Sequence, residues 1–263
     1  MTPVAPAALT TAAVVHAALV DLSDESKASQ VARYLRAVPG GYGEGDRFMG
    51  VAVPRIRALA KRTRLDHDEL ERLAASPWHE ERMVALCVAV GRAKRIRRLL
   101  DSARSQRDSN SPAVQDALTG REEMGLRYLD WVGRGLVNNW DLVDLSCRFL
   151  VGEYLLDKSR DILYRLSQSP LLWDNRIAIV STYAFIRKGE LEDTYALSDL
   201  MMHHPHDLMR KAIGWMLREA GKRDPERLYG YVLGHRADMP RTMLRYAIEK
   251  FSPEERAVLM QRV

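Results

Sequence analysis

Within "LVNNWDLVDLS", Leu136 to Ser146, two aspartates stand three residues apart behind a tryptophan. Asp141 falls where a helix start welcomes negative charge, beside Asn139, a residue type that caps helices. Asp144 falls a turn further in, inside an apolar run. A carboxylate there costs stability unless it is solvated or employed. On a helix starting near Asn139, Trp140 and Asp144 are i and i+4 and share one face. Leu142, Val143 and Leu145 lie towards other faces and can supply packing. An indole beside a carboxylate suits positive charge that develops during a reaction, because both attract a cation.

The elements that carry these groups read as helices throughout. Apolar residues recur with helical spacing in segments near 10–37, 53–63, 67–75, 78–92, 94–104, 112–118, 121–135, 139–155, 159–168, 171–187, 191–202, 206–221, 224–234, 239–250 and 253–262. No stretch alternates with period two. The C-terminal half repeats itself in "LLWDNRIAIVSTYAFIRKG", "PHDLMRKAIGWMLREAGKR" and "ADMPRTMLRYAIEKF". Arg176, Arg210 and Arg245 hold similar places in these units, 34 and 35 residues apart, and Trp140 and Trp173 are 33 apart. "SPWHEERMVALCVAVG", from Ser76, is an earlier copy. A period in the low thirties with two helices per unit marks an α-solenoid, read here as one repeat domain over 1–263 with a disordered lead at about 1–9. An arginine at one place per repeat predicts a basic stripe along a curved, concave groove. Arg176 from the next unit, and Trp215 with Arg218 from the unit after, are expected to face the same groove as Asp144. Such a groove suits the phosphates of duplex DNA, although solenoids also bind proteins and peptides.

Composition sets the frame. The chain has 263 residues, 46% hydrophobic and 7% aromatic, with a net charge of +5. Of its 40 basic residues 32 are Arg, which forks onto phosphate; base composition of the genome is the alternative source of that bias. No run reaches the roughly 18 uncharged apolar residues of a membrane helix. Cys87 and Cys147 lack metal or disulfide spacing, so a reducing cytoplasm is expected. The Gly-rich stretch Val38 to Pro54 lacks a phosphate-cradling pattern. "MMHHPHD", Met201 to Asp207, is split by Pro205 and reads as a helix-linking loop rather than a metal site. The basic run Gly91 to Leu100 reads as a solvated helix face, with a second phosphate contact as the alternative. Trp131 is expected in the core or in packing between repeats, and Cys147 in the core.

Together "FMGVAVPRIRALAKR", "SPWHEERMVALCV", "LVNNWDLVDLS", "LLWDNRIAIVSTYAFIRKGELEDT", "HDLMRKAIGWMLREAGKRD" and "MPRTMLRYAIEKF" resemble the AlkD-type DNA alkylation repair glycosylases, built of HEAT-like repeats, over about Arg33 to Phe251. The resemblance implies cleavage of the N-glycosidic bond of N3- and N7-alkylpurines in duplex DNA, with no metal or nucleotide cofactor and no obligatory base flipping. Bulky natural-product adducts come within its scope. It places the catalytic carboxylate at Asp144, groove tryptophans at Trp140 and Trp215, the groove arginine at Arg176 and a phosphate contact at Arg218. Arg210 and Arg245 join these from the repeat spacing. Asn139 stands where the family often has a further aromatic. A monomer acting on double-stranded DNA, away from membranes, is expected. The rival readings are a non-catalytic HEAT-like protein binding damaged or branched DNA, and a protein-binding solenoid.

Overall fold

The computed structural model describes residues 8–108 and 110–261. Among them every regular element is helical, and the only β pairing is two isolated bridges, Leu9 with Thr63 and Arg47 with Trp78. The chain divides into two compact units, Met1–Ser146 and Cys147–Val263.

The first unit contains α1 (Ala12–Val20), α2 (Glu25–Tyr34), α3 (Val53–Arg62), α4 (His67–Ala74), α5 (His79–Ser105), α6 (Pro112–Gly133) and nearly all of α7 (Trp140–Cys147). The single helix expected over 10–37 is two. Asp24 turns its side chain onto the Lys27 amide (3.2 Å) and caps α2, which forces a break before Glu25. Asp66 caps α4 in the same way through Glu69. The expected pair 78–92 and 94–104 is one helix of 27 residues, and 112–118 with 121–135 is one helix of 22. The gaps expected at residue 93 and at residues 119–120 are helical, and Gly120 keeps helical backbone because an interior glycine costs only about 1 kcal/mol. Of the lead expected at 1–9, residues 1–7 lie outside the described residues. Leu9 is buried, and its amide bonds to the Arg62 carbonyl (3.2 Å). Trp131 and Tyr128 on α6 are fully buried, as the core reading of Trp131 requires.

The second unit opens with a π-helical turn, Arg148–Gly152, and a 3-10 turn, Tyr154–Asp157. These replace the last two turns of the helix expected over 139–155. The geometry at Gly152 gives a reason: a Cβ there would lie 2.3 Å from the Ser181 carbonyl oxygen, so two backbones meet closely. Then follow α8 (Asp161–Ser167), α9 (Leu172–Ser181), α10 (Tyr183–Ile186), α11 (Glu192–Leu200), α12 (Asp207–Gly221), α13 (Pro225–His235), α14 (Arg241–Ala247) and α15 (Pro253–Leu259). Within this unit α12 packs against both α9 and α14. Its core holds Ile177, Ile179, Phe185, Met209 and Ile213, all fully buried, and Cys147 joins them as expected. The histidine run does form the α11–α12 link, and His206 accepts from the Leu208 amide (3.1 Å) at the start of α12.

Candidate active site

Leu142, Val143 and Ser146 are fully buried on one side of α7, which leaves Trp140 and Asp144 together on a half-buried face. Both ends of the helix are fastened within the first unit. At its end, the Ser146 hydroxyl lies 2.9 Å from the Tyr128 hydroxyl and donates to the Leu142 carbonyl. At its start, Asn139 is fully buried. Its side-chain oxygen accepts from the Trp140 amide (2.9 Å), and its side-chain nitrogen donates to the Leu35 carbonyl (3.2 Å). The residue standing in place of an aromatic therefore ties α7 to the chain just after α2.

Asp141 does more than favour the helix terminus. One carboxylate oxygen accepts from the Leu142 amide (2.8 Å), and the other lies 2.9 Å from Nε2 of His79. The His79 ring is 2% exposed, and its Nδ1 lies 3.1 Å from Asp46 Oδ2. Asp46 also takes Nη2 of Arg82 (2.6 Å) and the side-chain amide of Asn138 (2.8 Å), and Arg82 Nη1 donates to Asn138 (2.8 Å). Burial alone would lower the pKa of His79, but Asp141 and Asp46 outweigh it and push it up to about 9. Burial would likewise raise Asp46, and His79, Arg82 and Asn138 hold it below the usual carboxylate range. None of Asp46, His79, Arg82 and Asn138 stands out in the sequence as a site residue.

Two tyrosines complete the surroundings of Trp140. Tyr34, at the end of α2 and 70% exposed, meets the indole edge-on at 5.8 Å. Tyr42, in the Gly-rich stretch, is hydrogen-bonded to the Trp140 side chain; burial pushes its own pKa up, and the indole contact opposes that. The stretch Val38 to Pro54 thus reaches the candidate site through Tyr42.

The second unit places the other expected residues in differing states. Trp215 on α12 is half-buried, with its ring 6.5 Å from that of Tyr183, and Tyr183 lies under the guanidinium of Arg148 at 5.1 Å. Arg176 is only 5% exposed and gives Nη1 to the Leu208 carbonyl (2.6 Å), unlike the open guanidinium that the repeat spacing suggests. Arg210 donates Nε to the His204 carbonyl (3.1 Å). Arg218 pairs with Glu249. Arg245 is exposed. The three arginines of the expected stripe thus range from buried to open: Arg176 satisfies a backbone carbonyl at the start of α12 and Arg210 one in the link before it.

The described residues form an all-helical protein. The family of the DNA alkylation repair enzyme matches residues 15–251, and the chain belongs to that family. Among solved structures, a predicted DNA alkylation repair enzyme from Enterococcus faecalis shares the fold, with a TM-score of 0.63 at 16% identity, covering 88% of this chain and 97% of that one. No curated protein sequence matches the chain. Among the described residues no helix is long and apolar enough to cross a membrane.

Proposed function

We propose that the chain is a monofunctional DNA glycosylase hydrolysing the N-glycosidic bond of cationic N3- or N7-alkylated purines in duplex DNA. Its helix pairs are read as HEAT-like repeats. Asp144 is the catalytic carboxylate, and Trp140 and Trp215 are the aromatic groups that meet the substrate. Arg245, Arg218 and Arg210 are assigned to phosphates, with Arg245 the most open of them, and the buried Arg176 to holding the start of α12 through the Leu208 carbonyl.

The chemistry follows from the lesion. An N7-alkylated guanine carries a positive charge, so it departs as a neutral base when the bond to C1′ breaks. The sugar is left as an oxocarbenium ion. Asp144 stabilises that ion and orients the water that adds to C1′; the released proton passes to solvent. The indole face of Trp140 attracts the same charge. Because the base leaves readily, no second acid is needed, and a bulky adduct need not enter a closed pocket.

The observation that carries this reading is the pairing of Trp140 with Asp144 on a helix fastened at both ends, in a chain of the DNA alkylation repair family. Asp144→Asn tests it. Released bases are measured by mass spectrometry from duplexes treated with a panel of methylating and bulkier agents. Wild type should release alkylpurines, and the variant should lose about a hundredfold or more in rate while duplex affinity survives. Duplex binding by a wild type that releases no base from any substrate would favour a non-catalytic DNA-binding role and overturn the proposal.

A further inference from the structure

Two short contacts to one ring set a condition on protons. Ionised carboxylates only accept hydrogen bonds, and a neutral imidazole has one N–H to give. His79 lies within hydrogen-bond distance of Asp46 on Nδ1 and of Asp141 on Nε2. Both bonds form together when both ring nitrogens carry protons. The groups facing the ring agree. Asp46 and the stacked ring of Phe48 (4.9 Å) come from the Gly-rich stretch, and Asp141 comes from α7. Arg82, on α5 with His79, neutralises Asp46 from its other side, and Asn138 bridges Arg82 and Asp46. Two carboxylates and two cations make a balanced set around a buried ring, with Asp141 its partly exposed member.

We infer that His79 is a positioning residue for the proposed reaction: a doubly bonded imidazolium that pins the first turn of α7 and so fixes where Trp140 and Asp144 stand. The effect on rate rests on the glycosylase reading; the clamp itself does not. Asp141 is the neighbour of Trp140 and lies three residues before Asp144, and its carboxylate is held on both oxygens. The stretch that supplies Asp46 also supplies Tyr42, which contacts the Trp140 indole directly. The same segment thus reaches the reacting face twice, once through His79 and once through Tyr42. Loss of the ring's second proton leaves the buried Asp46 or the partly exposed Asp141 without its donor and loosens the start of α7.

The test follows the indole N–H resonance of Trp140, assigned by its loss in Trp140→Phe, together with the His79 ring and single-turnover release of N7-methylguanine. Each release rate is corrected for enzyme-free loss. In the wild type the ring and the indole resonance should titrate together near pH 9, and the excision rate should fall with them. His79→Gln should shift the indole resonance at neutral pH. It should also lower the rate by about tenfold or more with duplex affinity within about twofold, and remove the alkaline limb. Asp141→Asn should lower the midpoint of the ring, and it carries the test if His79→Gln does not fold. An indole resonance unmoved by either variant and by pH overturns the inference, as does undiminished excision by His79→Gln. Should that resonance respond as described while the wild type releases no base, the clamp stands and the glycosylase reading falls.

Discussion

A histidine buried as deeply as His79 would ordinarily be neutral, because burial disfavours its charged form. Here Asp141 and Asp46 reverse that, and the folded value rises from 6.5 to about 9. The sign of the consequence is fixed. A raised basic group contributes its stabilisation in full below its unfolded pKa, and the contribution disappears as pH rises through the folded value. Urea unfolding of the wild type should therefore show stability declining between about pH 6.5 and 9, and His79→Gln should flatten the decline from a lower starting point. A wild-type profile that is level across this window would argue against a protonated ring. Asp46 acts at the opposite end: its pKa is lowered, so its contribution is present above the ordinary carboxylate value and lost in acid. Asp144 is separate from this cluster by position, since it shares the Trp140 face of α7 and Asp141 the His79 side.

Elements turn on close approach as much as on hydrophobic spacing. Gly214 lies mid-way along α12, where a Cβ would meet the Met243 carbonyl oxygen at 2.5 Å and the Tyr246 Cβ at 2.6 Å. The backbones of α12 and α14 can pack this tightly only without a side chain there. Gly214→Ala would raise helix propensity but force the two helices apart, and overpacking of this kind costs about 1–3 kcal/mol. Urea melts should show that loss, and an unchanged or raised midpoint would show that the pair gives way freely. The sequence displayed α12 clearly, because its apolar face recurs every three to four residues and its ends carry Asp207 and Lys222. It displayed Trp140 and Asp144 as a pair for the same reason, since i and i+4 are neighbours within one helix. His79 and Asp46 are 33 residues apart, and His79 and Asp141 62, so no periodicity within a helix joins them. The one local signal was a histidine in "SPWHEER", at a helix start that the rest of the segment buries. The breaks expected at residue 93 and at residues 119–120 failed because polar and glycine positions weaken a helix without ending it when packing continues past them.

At the scale of the whole chain, a net charge of +5 supplies general attraction to a polyanion, but only uncommitted guanidinium groups can displace counterions from phosphate. The arginines expected to bind DNA differ in this respect. Arg245 is exposed, whereas Arg218 is paired with Glu249, whose carboxylate is held below its ordinary range by Lys250 and Arg218. Arg245→Ala should therefore weaken binding to undamaged and alkylated duplexes alike, and reduce the slope of log K against log salt by about 1. Arg218→Ala should do less, because part of its charge is already answered within the protein. Glu249→Gln separates the two cases: it removes a negative charge and releases Arg218, so duplex affinity should rise and the salt slope should steepen. Fluorescence anisotropy of a labelled duplex between about 50 and 200 mM salt measures all three. If Glu249→Gln left affinity and slope unchanged, Arg218 would not be a phosphate contact, and the basic surface of this chain would rest on Arg245 and its exposed neighbours instead.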